Sequence, residues 1–335
     1  MTKVIVSGGT GFIAQHILKQ LLNKNYDIVF TARSQQKGDH ILKLFNKPSN
    51  LKYEIVEDIA ESGAFDSLLQ KHNEAEIFLH TASPFHFKSN DPEVLIKPAV
   101  EGTKNVLSAI AKYGSQIKKV VVTSSYAAVA RSDKKSTDTI TESDWNTETS
   151  PEVIGNSPVL AYRASKSLAE QEAWNFTKKN NVNFKLSTIN PVFVFGPQLF
   201  DSEIKSELNT SSEVINKIIN LKPQDKIPPF KGGWIDVRDV AKAHLSAFEN
   251  PQAEEQRIIL FNSSFTEQTI LDFINKHYQN LNLPKGSPGS DKLQLENLPK
   301  IDDSKSREIL GFKFVDFETS ISDSVDQILK AKKKL

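Results

Sequence analysis

The sequence has no cysteine among its 335 residues, which excludes disulfide bonds and thiolate metal ligands. It has no excess of charge either, because 42 Lys and Arg nearly balance 41 Asp and Glu and leave a net charge of +1. That balance gives no electrostatic reason to expect nucleic acid or an anionic membrane as a partner. No run of eighteen apolar residues occurs, so no transmembrane helix is expected. A cytoplasmic protein without a bound metal is the resulting expectation.

The first half of the chain alternates short apolar runs with longer amphipathic segments. The apolar runs predict buried strands at 3–7, 27–32, 53–56, 77–80, 119–123 and 184–189. Apolar residues spaced three and four apart predict helices at 12–23, 34–45, 62–71, 91–113 and 159–179. This alternation predicts an α/β fold with a doubly wound parallel sheet of the Rossmann type.

After Pro191 the strict alternation fades. Residues 131–157 and 281–300 read as long polar loops, and helices are expected at 209–221, 235–249, 266–278 and 317–332, with a strand at 257–261. We therefore expect residues 1–190 to form a dinucleotide-binding domain, with 233–262 returning to it. Residues 191–232 and 263–335 would form a smaller C-terminal substrate-binding region.

A glycine-rich turn joins the first strand to the first helix. Gly8 would permit the tight turn, Gly11 would let the backbone approach a pyrophosphate, and Ala14 would keep the helix close to the sheet. The free N–H groups and positive dipole end of the helix would then face the phosphates. The turn therefore predicts dinucleotide binding, although a lone glycine pattern also occurs in ordinary strand–helix turns.

The ends of the next two strands indicate which dinucleotide is bound. An NAD-binding chain usually has an acid after the second strand, but this chain has Arg33, with Lys37 one turn further on. Two cations suit the 2′-phosphate of NADP(H), which Arg can bind through two hydrogen bonds. Asp58 and Ile59 follow the third strand and could contact the adenine. Asp58 could equally be a helix cap.

Tyr162 and Lys166 lie four residues apart on a predicted helix, so their side chains share one face. Of the six tyrosines, only Tyr162 has a lysine at the fourth position that follows. An ammonium group favours the phenolate, which would lower the pKa of Tyr162 and make it a candidate general acid or base. Such pairs also arise by chance on exposed helices.

Several motifs follow one another along the chain. They are Gly8-Gly9-Thr10-Gly11-Phe12-Ile13-Ala14, Asp58-Ile59, His80-Thr81-Ala82-Ser83-Pro84, Val122-Thr123-Ser124-Ser125, Tyr162–Lys166, Asn190-Pro191-Val192-Phe193-Val194-Phe195-Gly196-Pro197 and Trp234-Ile235-Asp236-Val237-Arg238-Asp239-Val240-Ala241. In this order and spacing they resemble the motifs of extended short-chain dehydrogenase/reductases. More narrowly, the chain resembles the yeast NADPH-dependent methylglyoxal (isovaleraldehyde) reductases, relatives of plant dihydroflavonol reductase.

The resemblance implies roles for individual residues. Tyr162 would protonate the substrate carbonyl as hydride arrives, Lys166 would hold the nicotinamide ribose, and Ser125, rather than its neighbour Ser124, would hydrogen-bond the carbonyl oxygen. The cofactor NADP(H) would be bound by Gly8, Gly9, Thr10, Gly11, Phe12, Ile13, Arg33, Lys37, Asp58, Ile59, Thr81, Tyr162, Lys166, Pro191, Val194 and Ser211. Many members of the family also use an Asn on the fourth long helix for a proton relay. Asn105 lies on that helix but not clearly in register, and Glu101 stands near where the Asn is common, so the resemblance does not decide whether this chain has the relay.

Four aromatic residues follow strand ends and could line a substrate pocket or belong to the core: Phe85, Tyr126, Phe193 and Phe195. If Ala130 faces the substrate, its small side chain would leave room for a bulky substrate group. The leading hypothesis is an NADPH-dependent carbonyl reductase for an aldehyde, α-dicarbonyl or ketone, acting as a monomer or homodimer. A nucleotide-sugar epimerase or dehydratase is the second hypothesis, and Arg33 argues against it. A non-catalytic NADP-sensing regulator is the third, and such proteins tend to lose the Tyr–Lys pair.

Overall fold

The computed structural model of the protein describes residues 1–83, 91–155, 157–204, 208–227 and 229–332. Its main sheet has seven parallel strands, in the spatial order β10 (Arg257–Leu260), β7 (Lys185–Pro191), β5 (Lys119–Thr123), β4 (Ile77–His80), β1 (Lys3–Ser7), β2 (Asp27–Ala32) and β3 (Leu51–Ile55). The strand order reverses between β1 and β4, which is the switch point where doubly wound sheets bind ligands. The predicted α/β fold is thus confirmed.

Helices cover both faces of this sheet, because successive residues of a strand point to opposite sides. Val4 and Val6 pack with α1 (Phe12–Asn23), α2 (Gln35–Leu44), α8 (Val237–Glu249) and α11 (Ser304–Leu310). Ile5 packs on the other face with α3 (Asp66–Lys71), α4 (Glu93–Tyr113) and α6 (Pro158–Lys179). Two apolar cores therefore hold the strand ends in fixed positions.

A second sheet, which the sequence did not predict, forms after β7. Its strands are β11 (Ser263–Thr266), β9 (Lys231–Asp236) and β8 (Phe193–Phe195), in that order. It packs against α7 (Thr210–Ile218), α9 (Glu267–His277) and α12 (Phe317–Lys332) around the fully buried rings of Phe195, Trp234 and Phe265. This core is separate from the two that flank the main sheet.

The two segments expected to be loops contain regular structure. β6 (Thr139–Ile140) pairs in parallel with β12 (Lys300–Ile301), and the same regions contain α5 (Pro151–Ile154) and α10 (Ser290–Glu296). Short 3-10 helices lie at Tyr126–Ala128, Asp201–Glu203, Pro251–Ala253 and Gln279–Leu281. Within the described ranges, no helix has both the length and the apolar character needed to cross a membrane.

Candidate active site

The glycine turn between β1 and α1 is shaped by its contacts with neighbouring strands. Gly8 has φ +73°, and a Cβ there would lie 2.9 Å from Ala82 Cα. A Cβ on Gly9 would lie 2.5 Å from the ring of Phe30. Both glycines are therefore required by the packing of the protein itself.

Gly11 differs from these two glycines. It has φ −76°, and a Cβ there would approach no atom closer than the Gly8 carbonyl oxygen, at 3.4 Å. Gly11 is exposed at the N-cap of α1, where no side chain caps the helix and no acid occupies the first turn. The helix thus presents free backbone N–H groups and the positive end of its dipole at an exposed position without a side chain. A pyrophosphate fits such a position, which a side chain on residue 11 would obstruct.

Arg33 and Lys37 are both exposed beside this turn. Arg33 directly follows β2, and Lys37 is in the first turn of α2, where its backbone N–H donates to the Ser34 hydroxyl at 3.4 Å. Neither side chain forms a salt bridge within the described part of the chain. Two cationic side chains are thus available to bind an anionic group at the position where an NAD-binding chain would have an acid.

Asp58, Ile59 and Asn105 form one local arrangement after β3. Asp58 is exposed and its Oδ1 accepts from the backbone of Ala60 at 2.9 Å. The side-chain amide of Asn105 donates to the carbonyl of Ile59 at 3.0 Å and to that of Glu61 at 2.9 Å. Both contacts of this amide are with the loop after β3, so Asn105 positions that loop.

Ser7 joins the ends of β1 and β4. Its hydroxyl accepts from the backbone N–H groups of Thr81 and Ala82, each at 3.1 Å, and therefore donates to His80 Nδ1 at 2.9 Å. Burial, followed by the charge of Lys166, lowers the pKa of His80 to about 3, so the imidazole is neutral. His80 is 3% exposed at the end of β4. Thr81, a predicted cofactor residue, also donates to the Ser7 carbonyl at 2.5 Å.

Ser125, Tyr162 and Lys166 meet beyond the carboxyl end of β5. Ser125 caps the 3-10 helix that follows β5, and its side chain hydrogen-bonds that of Tyr162. Lys166 Nζ lies 5.9 Å from the centre of the Tyr162 ring and donates to Ser83 Oγ at 3.0 Å. The hydroxyl of Ser124 instead donates to Glu170 Oε2 at 2.5 Å, which turns it away from Tyr162.

The electrostatics of this group differ from the expectation that Lys166 lowers the pKa of Tyr162. Burial raises that pKa, and the hydrogen bond with Ser125 opposes the rise without cancelling it. Burial also lowers the pKa of Lys166 to about 8, against the opposing effect of Glu170. Desolvation is therefore the largest effect on the pKa of both side chains. A phenol with a raised pKa keeps its proton at neutral pH, which suits a proton donor.

The predicted substrate-side residues occupy different environments. Tyr126 is half-buried, and its hydroxyl has no hydrogen-bond partner among the described residues. Ala130 is 3% exposed and packs with Val129, Ile140 and Ile259. Phe193 is half-buried, with its ring 4.7 Å from that of Phe230. Phe85 lies outside the described residues.

Three further predicted residues lie at the end of β7, in β8 and in α7. Pro191 ends β7, and Val194 is buried in β8. Ser211 is half-buried in the first turn of α7, whose N-cap is Asn209. Phe195 is fully buried between Trp234 and Phe265, which makes it a core residue.

A buried polar cluster behind these residues was not predicted from the sequence. Glu170, Asn190 and Arg257 form its centre, with Ser124 and Thr188 as further partners. The available signal was the position of Glu170, four residues after Lys166 on the same helix face. Nowhere in the described part of the chain, this cluster included, do three or more His, Asp or Glu side chains form a group that could hold a metal ion.

Comparison with known proteins shows what this arrangement resembles. The family model described as NAD dependent epimerase/dehydratase matches residues 4–261. The putative NADPH-dependent methylglyoxal reductase GRP2 of Candida albicans is 52% identical over 98% of both chains, and the NADPH-dependent methylglyoxal reductase GRE2 of Saccharomyces cerevisiae is 45% identical over 98% of both. The crystal structure of Gre2 from Candida albicans in complex with NADPH has a TM-score of 0.96 and 57% identity, and the alignment covers 99% of each chain.

Proposed function

Because this chain belongs to the NAD dependent epimerase/dehydratase family and is an NADPH-dependent carbonyl reductase, we propose that Tyr162, Ser125 and Lys166 are its catalytic residues. The observation that carries the proposal is the hydrogen bond between Ser125 and Tyr162, with Lys166 one helical turn from the phenol. This arrangement places a proton donor, a second hydroxyl and a cation at one strand end.

The residues at the switch point fit NADPH. The turn from Gly8 to Ile13 would bind the pyrophosphate, because Gly11 leaves the start of α1 open. Arg33 and Lys37 would bind the 2′-phosphate, and Asp58 and Ile59 would contact the adenine. The remaining contacts would come from Thr81, Lys166, Pro191, Val194 and Ser211. When bound, NADPH supplies the hydride that reduces the carbonyl carbon.

The side chains of this protein would control the proton. The Ser125 hydroxyl donates a hydrogen bond to the carbonyl oxygen, and Tyr162 gives its hydroxyl proton to that oxygen, so that an alcohol is formed. Lys166, whose pKa is about 8, is protonated at neutral pH and stabilises the phenolate that Tyr162 becomes. Solvent then returns a proton to Tyr162.

The substrate class we propose is an aldehyde, an α-dicarbonyl or a ketone. Residues 191–232 and 263–335 would form the substrate-binding region, with residues 1–190 and 233–262 as the dinucleotide-binding domain. Tyr126 and Phe193 are half-buried beside the strand ends and would contact the substrate, together with Phe85. A cytoplasmic location and a monomeric or homodimeric state stay predictions, which microscopy of the tagged protein and light scattering would test.

The experiment that tests the function follows NADPH oxidation with a panel of aldehydes, α-dicarbonyls and ketones, with NADH in parallel. We expect turnover with NADPH and much less with NADH. Turnover of a nucleotide sugar by protein that retains NAD through purification would favour the epimerase or dehydratase. NADPH binding without turnover of any carbonyl would favour the regulator.

We expect Gly11→Ala to weaken NADPH binding by at least about tenfold while leaving the melting temperature of the free protein unchanged. The backbone at Gly11 accepts a Cβ, so the loss would arise from contact with the cofactor alone. Gly8→Ala is the matched control, and it should lower the melting temperature because of its positive φ and the close Ala82 backbone. Unchanged NADPH affinity in Gly11→Ala would contradict the assignment of the turn.

Ala130→Phe tests whether Ala130 lines the pocket. Since Ala130 is 3% exposed among apolar neighbours, we expect overpacking to destabilise the protein by about 1–3 kcal/mol and to lower its melting temperature. Melting curves and kcat/KM for a small and a bulky carbonyl separate the two roles. A strong shift from bulky to small substrates with an unchanged melting temperature would assign Ala130 to the pocket.

A further inference from the structure

Glu170 lies one helical turn beyond Lys166 on α6 and is only 1% exposed. Its Oε1 accepts from Arg257 Nε at 2.6 Å and from Thr188 Oγ1 at 3.1 Å. Its Oε2 accepts from Ser124 Oγ at 2.5 Å and from Asn190 Nδ2 at 2.6 Å. A buried carboxylate costs free energy unless donors satisfy it, and this one has donors on both oxygens.

These hydrogen bonds connect the elements that carry the proposed catalytic residues. Asn190, on β7, donates to Glu170 and also to the backbone carbonyl of Ser125, at 3.1 Å. Ser124, at the end of β5, is tied to Glu170 through its hydroxyl and to Ile189 through its backbone N–H, at 2.8 Å. Glu170 therefore fixes α6, which carries Tyr162, against the strand end that carries Ser125.

Arg257 extends the connection to the segment that follows Ser125. Its guanidinium lies 3.7 Å from the centre of the Trp145 ring and donates to the carbonyls of Glu142, at 2.7 Å, and Asp144, at 2.5 Å. The Arg257 side chain is 9% exposed, so its charge and that of Glu170 are enclosed together. The pair spans α6 and β10.

The charge of Glu170 also acts on Lys166. Burial lowers the pKa of Lys166 to about 8, and the negative charge of Glu170 opposes that change. Among the described residues, Tyr162 on the same helix and neutral His80 at the end of β4 are further titratable groups close to the ammonium. Glu170 has one charged partner, Arg257 on β10. The partners of Glu170 on β5 and β7 are uncharged, namely Ser124, Thr188 and Asn190.

We propose that Glu170 is a positioning residue for carbonyl reduction, one that holds Ser125 beside Tyr162 through Asn190 and places a negative charge one helical turn from Lys166. This inference rests on the proposed roles of Ser125, Tyr162 and Lys166. Glu170 itself touches neither substrate nor cofactor. A role limited to stability would leave the pH dependence of turnover unchanged, and that difference makes the two roles separable.

The test is Glu170→Gln, which keeps the shape of the side chain and removes its charge. Without that charge Lys166 loses its proton at lower pH, so the high-pH limb of kcat should move by about one pH unit toward acid. We expect kcat at neutral pH to fall at least about tenfold. NADPH affinity, measured by fluorescence titration against pH, should decline over the same shifted range, which gives a readout independent of turnover.

Thr188→Val is the matched control, because it removes a donor to Glu170 and leaves the charge in place. It should lower the melting temperature with the pH limb unmoved. If Glu170→Gln does not fold because Arg257 is left unpaired, the double variant Glu170→Gln/Arg257→Gln removes both charges. The same measurements are then made on the double variant.

Three results would overturn the proposal. The first is a folded Glu170→Gln variant in which the high-pH limb of kcat and the pH dependence of NADPH affinity match those of the wild type. An equal shift of both quantities in Thr188→Val would count in the same way. The second is a double variant that also fails to fold, which would assign Glu170 to stability. The third is a wild-type protein that reduces no carbonyl with NADPH; this alone would overturn the proposed function as well.

Discussion

Tyr162→Phe should lower kcat for carbonyl reduction by at least about 10²-fold, the scale of a lost general acid. The substitution keeps the ring, which packs beside Leu95, Ile154 and Ala161, and removes only the hydroxyl. We therefore expect the melting temperature and the NADPH affinity to stay near those of the wild type. Steady-state kinetics, fluorescence titration with NADPH and a melting curve measure the three quantities.

Two further variants serve as a negative and a positive control for the Tyr162→Phe result. Tyr113→Phe removes a phenol hydroxyl at the end of α4 and should leave turnover unchanged. Lys166→Ala should lose both turnover and NADPH affinity, since Lys166 is proposed to serve both. Near-normal turnover in Tyr162→Phe would rule out Tyr162 as the proton donor.

Arg33→Ala should raise the KM for NADPH by about ten- to a hundredfold and leave the KM for NADH nearly unchanged. The physical reason is the loss of a charge-assisted phosphate contact, worth about 1.5–3 kcal/mol. Arg33 is exposed and forms no salt bridge with any described residue, so few contacts within the protein are lost with it. The ratio of the two KM values is the decisive measurement.

Lys43→Ala provides the control for charge. Lys43 is also exposed and lies in the last turn of α2, so the substitution removes the same charge at the other end of the helix. It should change neither KM. If Arg33→Ala weakens both cofactors equally, Arg33 has a structural role and the choice of NADPH has another origin.

The main sheet could be predicted because its central strands are buried on both faces. Such strands appear as continuous apolar runs, for example Val4-Ile5-Val6 and Val120-Val121-Val122. The order of the runs and helices then allows few topologies. The glycine turn and the Tyr162–Lys166 pair were equally accessible, since each depends on residues close together in the sequence.

Contacts between distant, polar residues were not predictable in this way. The Glu170–Arg257 pair joins α6 to β10, and nothing near either residue marks the other as its partner. The second sheet was missed because its strands are short and lie far apart in the chain. The pKa of Tyr162 was assigned the wrong direction, since the sequence shows the neighbouring lysine but not the burial that raises this pKa.

The pairing of β6 with β12 has a consequence for the order in which the protein is made. A ribosome completes all seven strands of the main sheet once β10 is synthesised, but Lys300 and Ile301 emerge much later. Glu142, in the same segment as β6, accepts from the hydroxyl of Ser306 at 2.5 Å. The stretch that follows Ser125 must therefore wait for residues near the end of the chain. A nascent chain would acquire its cofactor turn early and its complete catalytic surroundings late, because contacts of long sequence separation form last.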